Sequence, residues 1–216
     1  MNNPMNTPIK KQYQKLAQKV IKSLESHHFD AYYADNISEA NQIALSLIPA
    51  TDVVSWGGSI TLEQIGILDL IKQRNTVLDR STATHRAHCE EIMKKALTCD
   101  TYLMSSNAIT EDGELLNIDG NGNRVAALIF GPKNVIIIAG MNKIVRNTTD
   151  ALQRVRHYAA PVNVQRFENH PTPCYVDGAC HNCYSANSIC ANIVNTRISR
   201  PAHRIKIILV GENLGF

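Results

Sequence analysis

Apolar residues at Ile9, Tyr13, Leu16, Val20, Ile21 and Leu24 recur at helical spacing with basic residues opposite, so residues 10–30 open the chain on an amphipathic helix. The period then changes. "FDAYYA" is a short strand-like run, Ser38 opens a helix that Pro49 ends, and "DVVSW" is apolar enough for a strand buried on both faces. Thr61 and Gln64 have the spacing of a capping box for the next helix. "NTVLDR" and "TYLMSS" predict strands on either side of a helix from His85 to Leu97, and "NAITEDG" reads as a polar loop. In "ELLNIDGNGNRVAALIFG" two apolar runs flank "DGNGN", the strongest hairpin signal in the chain. "NVIIIAG" predicts a fully buried strand, Thr148 to Tyr158 a helix, and "RIKIILVGE" a closing strand. This alternation predicts an α/β fold: a mostly parallel sheet with helices on both faces, plus an inserted β-hairpin. No repeat or linker divides the chain, so residues 1–216 are expected to form a single domain.

Composition narrows the function classes. Hydrophobic residues make up 44% and charged residues 19% of the 216 positions, which suits a folded protein with a sizeable core. A net charge of +3 is too mild to indicate nucleic acid, and no Lys/Arg tract lies beside a row of aromatics. The start, "MNNPMNTPIKKQYQKL", has no apolar signal core, and runs such as "VIIIAGM" are too short to span a bilayer. The expectation is a cytoplasmic protein without nucleic-acid or membrane partners; an oligomer is left open. In that compartment cysteines are normally reduced and serve metal or redox chemistry more often than disulfides.

Candidate chemistry collects after the apolar strands. Gly57-Gly58-Ser59, Ser106-Asn107, Gly140-Met141-Asn142-Lys143 and Gly211-Glu212-Asn213 each follow one. In a parallel sheet such loops share an edge, and ligands sit in the crevice there. Bare glycines let a ligand approach the backbone, and a helix starting near Ser59 would turn its N–H groups toward an anion. The expected pocket for a small anionic metabolite is Gly57, Gly58, Ser59, Asn107, Asn142 and Lys143, with Arg124 adding positive charge. Glu63, one turn past Ser59, and Asp119, in the hairpin, are the candidate acid–base groups. Each feature also has a structural reading: a Gly-Gly turn serves tight packing, "DGNGN" is turn chemistry, and Lys143 suits a solvated loop. His85 and His88 share a helix face but lack a third ligand.

Cys174, Cys180, Cys183 and Cys190 are spaced C-x5-C-x2-C-x6-C within the cysteine-rich segment 171–195. Four thiolates that close together suit a tetrahedral metal or a cluster. Only one CxxC knuckle is present, so an iron–sulfur cluster is expected ahead of zinc, the alternative being four reduced thiols without a metal, or a disulfide formed on oxidation outside the cell. Cys89 and Cys99 stand apart and read as core residues.

Three blocks, "SWGGSITLEQIGI", "SSNAITEDGELLNIDGNGNRVAALIFGPKNVIIIAGMNKIV" and "CYVDGACHNCYSANSIC", together resemble the lactate-utilisation (LUD) domain proteins from about residue 10 to 213. Within that family the chain looks like a single-domain branch with a C-terminal cysteine motif. The resemblance implies a Rossmann-like sheet similar to the sugar-phosphate isomerase and CoA-transferase superfamily, with the turn at Gly57, Gly58 and Ser59 contacting a phosphate or acyl substrate. Better-known members belong to an iron–sulfur complex oxidising L-lactate to pyruvate. This chain departs from their C-x2-C-x2-C-x3-C motif and has no flavin signature. The implied role is an accessory or electron-transfer component in 2-hydroxy-acid metabolism, with oxidoreductase subunits as partners. A non-catalytic subunit, and an isomerase or transferase acting on a phosphorylated or CoA-linked molecule, are the alternatives.

Overall fold

The computed structural model describes residues 7–216. Helix α1 (Thr7–Ser26) leads into β1 (Asp30–Ala34), α2 (Ile37–Ser46) and β2 (Val53–Trp56). Two short helices, α3 (Ile60–Gln64) and α4 (Ile67–Lys72), precede β3 (Thr76–Leu78), α5 (Arg86–Lys95) and β4 (Thr101–Met104). Next come β5 (Ala108–Thr110), β6 (Leu115–Asp119), α6 (Asn123–Ile129), β7 (Asn134–Gly140) and β8 (Ile144–Val145). Then come α7 (Thr148–Arg154), α8 (Ala160–Val164), α9 (Pro173–Asp177), β9 (Asn192–Thr196) and β10 (Ile205–Val210). The expectation of no signal core falls partly on residues 1–6, outside the described residues.

Six strands form a fully parallel sheet in the order β1-β10-β7-β4-β2-β3. Its interior strands are buried on both faces, which is why their sequences carry no polar alternation. On β7, Val135, Ile137 and Ala139 face the layer containing α1, while Ile136 and Ile138 face the layer of α2, α3 and α4. A second sheet, β8-β5-β6-β9, is mixed: β5 runs parallel to β8, and β6 runs antiparallel to both β5 and β9. It packs through Ala108, Leu116 and Ile118 on α7.

Several local expectations are corrected. The antiparallel hairpin is β5–β6, turning at Glu111–Glu114, so "NAITEDG" is part strand, not loop. "DGNGN" instead ends β6 and starts α6: Gly122, at φ 81°, takes the left-handed N-cap position, and "NRVAALI" coils. Asn36, not Ser38, caps α2 by accepting from the Glu39 amide. Ser59, not Thr61, caps α3, because the Thr61 hydroxyl is buried and engaged elsewhere. The helix from Thr148 continues through a π-helical turn, Val155–Ala159, into α8.

Candidate functional site

The parallel sheet reverses its winding between β2 and β4. From β2 the chain moves outward to β3, then returns to place β4 on the opposite side. Loops leaving the two central strands diverge there, opening a crevice at the carboxyl edge. A cleft of about 1220 Å³ occupies that position. Gly57 to Ser59 enter it from β2, Arg80 from β3, Ser105 to Asn107 from β4 and Lys143 from β7. Asp119 and Gly120 reach it from the second sheet, and Gly215 from the segment after β10.

The two glycines of the turn make room for guanidinium side chains. A methyl group at Gly57 would stand 2.8 Å from Cγ and Cδ of Arg124 and 3.2 Å from the Tyr102 hydroxyl; one at Gly58 would strike Nη2 of Arg80. The turn is therefore lined with cationic groups before any ligand arrives. Helix α3 has only five residues, and the Ser59 hydroxyl already accepts from its Leu62 amide at 3.4 Å. Anion binding here falls to side chains more than to the helix terminus.

Arg124 is an anchor. Nη1 donates to the Ser105 carbonyl at 3.1 Å and Asn117 Oδ1 at 2.6 Å; Nη2 donates to Asn107 Oδ1 at 3.0 Å and the Ile118 carbonyl at 2.7 Å. Its Nε faces Asp119 Oδ2 at 3.4 Å. Asp119 also accepts from the Gly122 amide at 2.9 Å, fixing the turn into α6. Arg124, Asn107 and Asp119 thus hold each other and tie β4 to β6, while still lining the cleft. Asn142 does not line it. Its Oδ1 accepts from the Leu214 amide at 3.0 Å, which fastens the segment after β10 over the loop after β7.

Lys143 overturns the expectation of a solvated loop lysine. It is 3% exposed, and Nζ donates to Thr61 Oγ1 and Ser105 Oγ, each at 2.9 Å. Among the described residues no carboxylate pairs with it. Burial, followed by the charges of Arg154 and Arg124, lowers its pKa from 10.5 to about 7. Nothing in the sequence around Lys143 announces this, because Thr61 lies 82 residues away.

The charges lining the cleft do not cancel. Its four side-chain carboxylates are each paired: Asp79 with Lys72 at 2.9 Å, Glu63 with Arg166 at 3.3 Å, Glu90 with Arg86 at 3.0 Å, and Asp119 with Arg124. Arg80, Lys94 and Lys143 line the same cleft with no carboxylate partner among the described residues. Sequence reasoning missed Arg80, whose one signal was its position two residues past the end of a parallel strand. Glu63 remains half-exposed at the rim and is the freer of the two candidate acid–base groups.

All six cysteines are free. His85 caps α5 by accepting from the His88 amide at 3.2 Å, so the histidine pair serves the helix start. Cys99 is buried, and desolvation pushes its thiol up to about 12. Cys174, Cys180, Cys183 and Cys190 share one neighbourhood: burial and then the charges of the other three push Cys190 up to about 11. The donor set has the chemistry of an iron–sulfur or zinc site. Yet no three His, Cys, Asp or Glu side chains stand in a metal-holding arrangement among the described residues. As folded here these residues do not fit a metal; ligation requires the segment to close further. No described helix is long and apolar enough to cross a membrane.

The model of one protein family, the LUD domain, matches residues 17–210. No curated protein matches the sequence. Among solved structures, a DUF162 family protein from Deinococcus radiodurans has a similar fold, with a TM-score of 0.52 at 13% identity, covering 92% of this chain and 98% of that one.

Proposed function

The chain belongs to the LUD domain family, and from that premise we propose that its cleft binds a small anionic metabolite of the 2-hydroxy-acid class, within lactate-like metabolism. One observation carries the reading: every side-chain carboxylate lining the cleft is paired, whereas Arg80 and Lys94 are left without a side-chain counter-charge among the described residues. An anion supplies what the walls lack, and paired hydrogen bonds from a guanidinium suit a carboxylate. Arg80 binds the anion, Arg124 keeps the turn and the second sheet in place, and Lys143 handles a proton beside the bound molecule.

No step of this proposal passes through an iron–sulfur cluster or zinc. Such a group, if the cysteine segment closes around it, would supply electron transfer or structural rigidity, with Cys174, Cys180, Cys183 and Cys190 as ligands. Oxidoreductase subunits would then be its partners. Metal and sulfide analysis after anaerobic purification, on wild type and Cys183→Ser, decides that part independently of the cleft.

The cleft reading is tested by titration calorimetry with L-lactate, oxalate and inorganic phosphate at low ionic strength. Arg80→Ala is expected to weaken the best of these by roughly tenfold, as the loss of one charge-assisted contact should. Equal affinity in wild type and variant, or no binding of any of the three, would remove the proposal.

A further inference from the structure

The surroundings of Nζ of Lys143 say more than that a cation lines the cleft. A neutral amine has two N–H bonds and one lone pair. Here the two hydrogens have acceptors, Thr61 Oγ1 and Ser105 Oγ, each at 2.9 Å. With the bond to Cε and both hydrogens engaged, the lone pair is the one valence of the neutral amine left without a protein partner among the described residues. A β-carbon at Gly215 would stand 2.6 Å from Thr61 Oγ1 and 3.2 Å from the nitrogen, so any side chain there would crowd the amine and its hydroxyl partner. Gly215 has φ 58°, which also favours a residue without a side chain. The charged groups acting on Lys143 are Arg154 and Arg124, both cations, and both favour the unprotonated amine.

From this geometry we infer that Lys143 is a nucleophile, forming an imine with a carbonyl compound that also carries a carboxylate or phosphate. The inference rests on the anion-binding reading of the cleft and extends it from binding to covalent capture. The nitrogen lone pair attacks the carbonyl carbon, a C–N bond forms, and the carbonyl π pair moves to oxygen. That oxygen takes up two protons, one from the amine and one from solvent, and leaves as water. A protonated imine remains on Lys143. The Ser105 and Thr61 hydroxyls, already bonded to the nitrogen, are placed to relay the proton it gives up. No oxidant or metal is required. A buried amine that is neutral near physiological pH is the form such chemistry needs.

The experiment uses the full chain with two probes, glyoxylate and glycolaldehyde phosphate, each reduced in place with sodium cyanoborohydride. Peptide mapping of the wild type should find one dominant adduct on Lys143, equal to the probe less one oxygen, from at least one probe. The probe that labels at the lower concentration identifies the anion. Lys143→Arg, which keeps the charge and loses the nucleophile, should show no dominant adduct. The wild-type map locates the label whether or not the variant folds. Label spread over surface lysines, or none on Lys143, overturns the inference. Oxalate, which has no aldehyde or ketone group, separates the two levels: oxalate binding without trapping removes the imine and leaves the anion site. Neither binding nor trapping removes both.

Discussion

A lysine whose side chain has no carboxylate partner is held at its site against its own charge. Below about pH 7 Lys143 carries its proton folded or unfolded, and folding bears the full penalty of burying it. Between about 7 and 10.5 the folded chain has released the proton while the unfolded chain keeps it, so stability from this residue rises with pH until both forms are neutral. Lys143→Met has no such dependence. The stability difference between the two proteins should therefore shift in the wild type's favour across that window, by on the order of a few kcal/mol. Urea unfolding at a series of pH values measures it, and a flat difference would mean the buried amine stays charged. Gly57 and Gly58 are readable in the sequence as special positions, but not what they accommodate. Arg124 and Arg80 reach them from the first turn of α6 and from just past β3, and long-range side-chain packing leaves no periodic trace in sequence.

At the scale of elements, strands and helices with strong periodicity are legible: β2, β4, β7 and β10 all fall where continuous apolar runs stand. "DGNGN" misleads because a left-handed glycine serves a hairpin turn and a helix start equally well, and only the residues beyond it decide between them. Strand β5 is hidden because its three residues, Ala-Ile-Thr, are too few to show a period. Helix α6 has a terminal device that no local signal reveals. Arg204, buried just before β10, donates to the carbonyls of Ala127 and Leu128 at 2.7 Å each and of Pro132 at 2.8 Å. It satisfies carbonyls that the helix end leaves free and sets a positive charge against the negative end of the helix dipole. Arg204→Met leaves those acceptors buried without donors and should destabilise the fold by about 2–4 kcal/mol in urea unfolding. Arg204→Lys should recover only part of this, since one ammonium cannot reproduce the fork.

Across the whole molecule, stability is unevenly spread. The parallel sheet carries both large apolar clusters, whereas residues 173–191, which contain all four clustered cysteines, include no buried residue. Few backbone bonds hold that stretch beyond the turn of α9 and the bends near Ser185 and Ser188. Hydrogen exchange should accordingly find residues 179–191 open within seconds to minutes, and the β7 amides protected up to the stability of the entire fold. Slow exchange in the metal-free segment would show that it is braced by contacts other than those seen. The overall architecture is legible because both-face burial stamps parallel strands unmistakably. The cysteine segment is legible only as composition, since donor spacing says nothing about how an uncored loop closes.

The close approach of Arg124 to the backbone at residue 57 has a consequence for anyone altering the protein. Two positions far apart in the chain share one small volume, so neither can be redesigned alone: a methyl group added at one requires a shorter side chain at the other. Because that same guanidinium joins the two sheets, enlarging the turn would loosen the joint before it touched whatever the cleft holds.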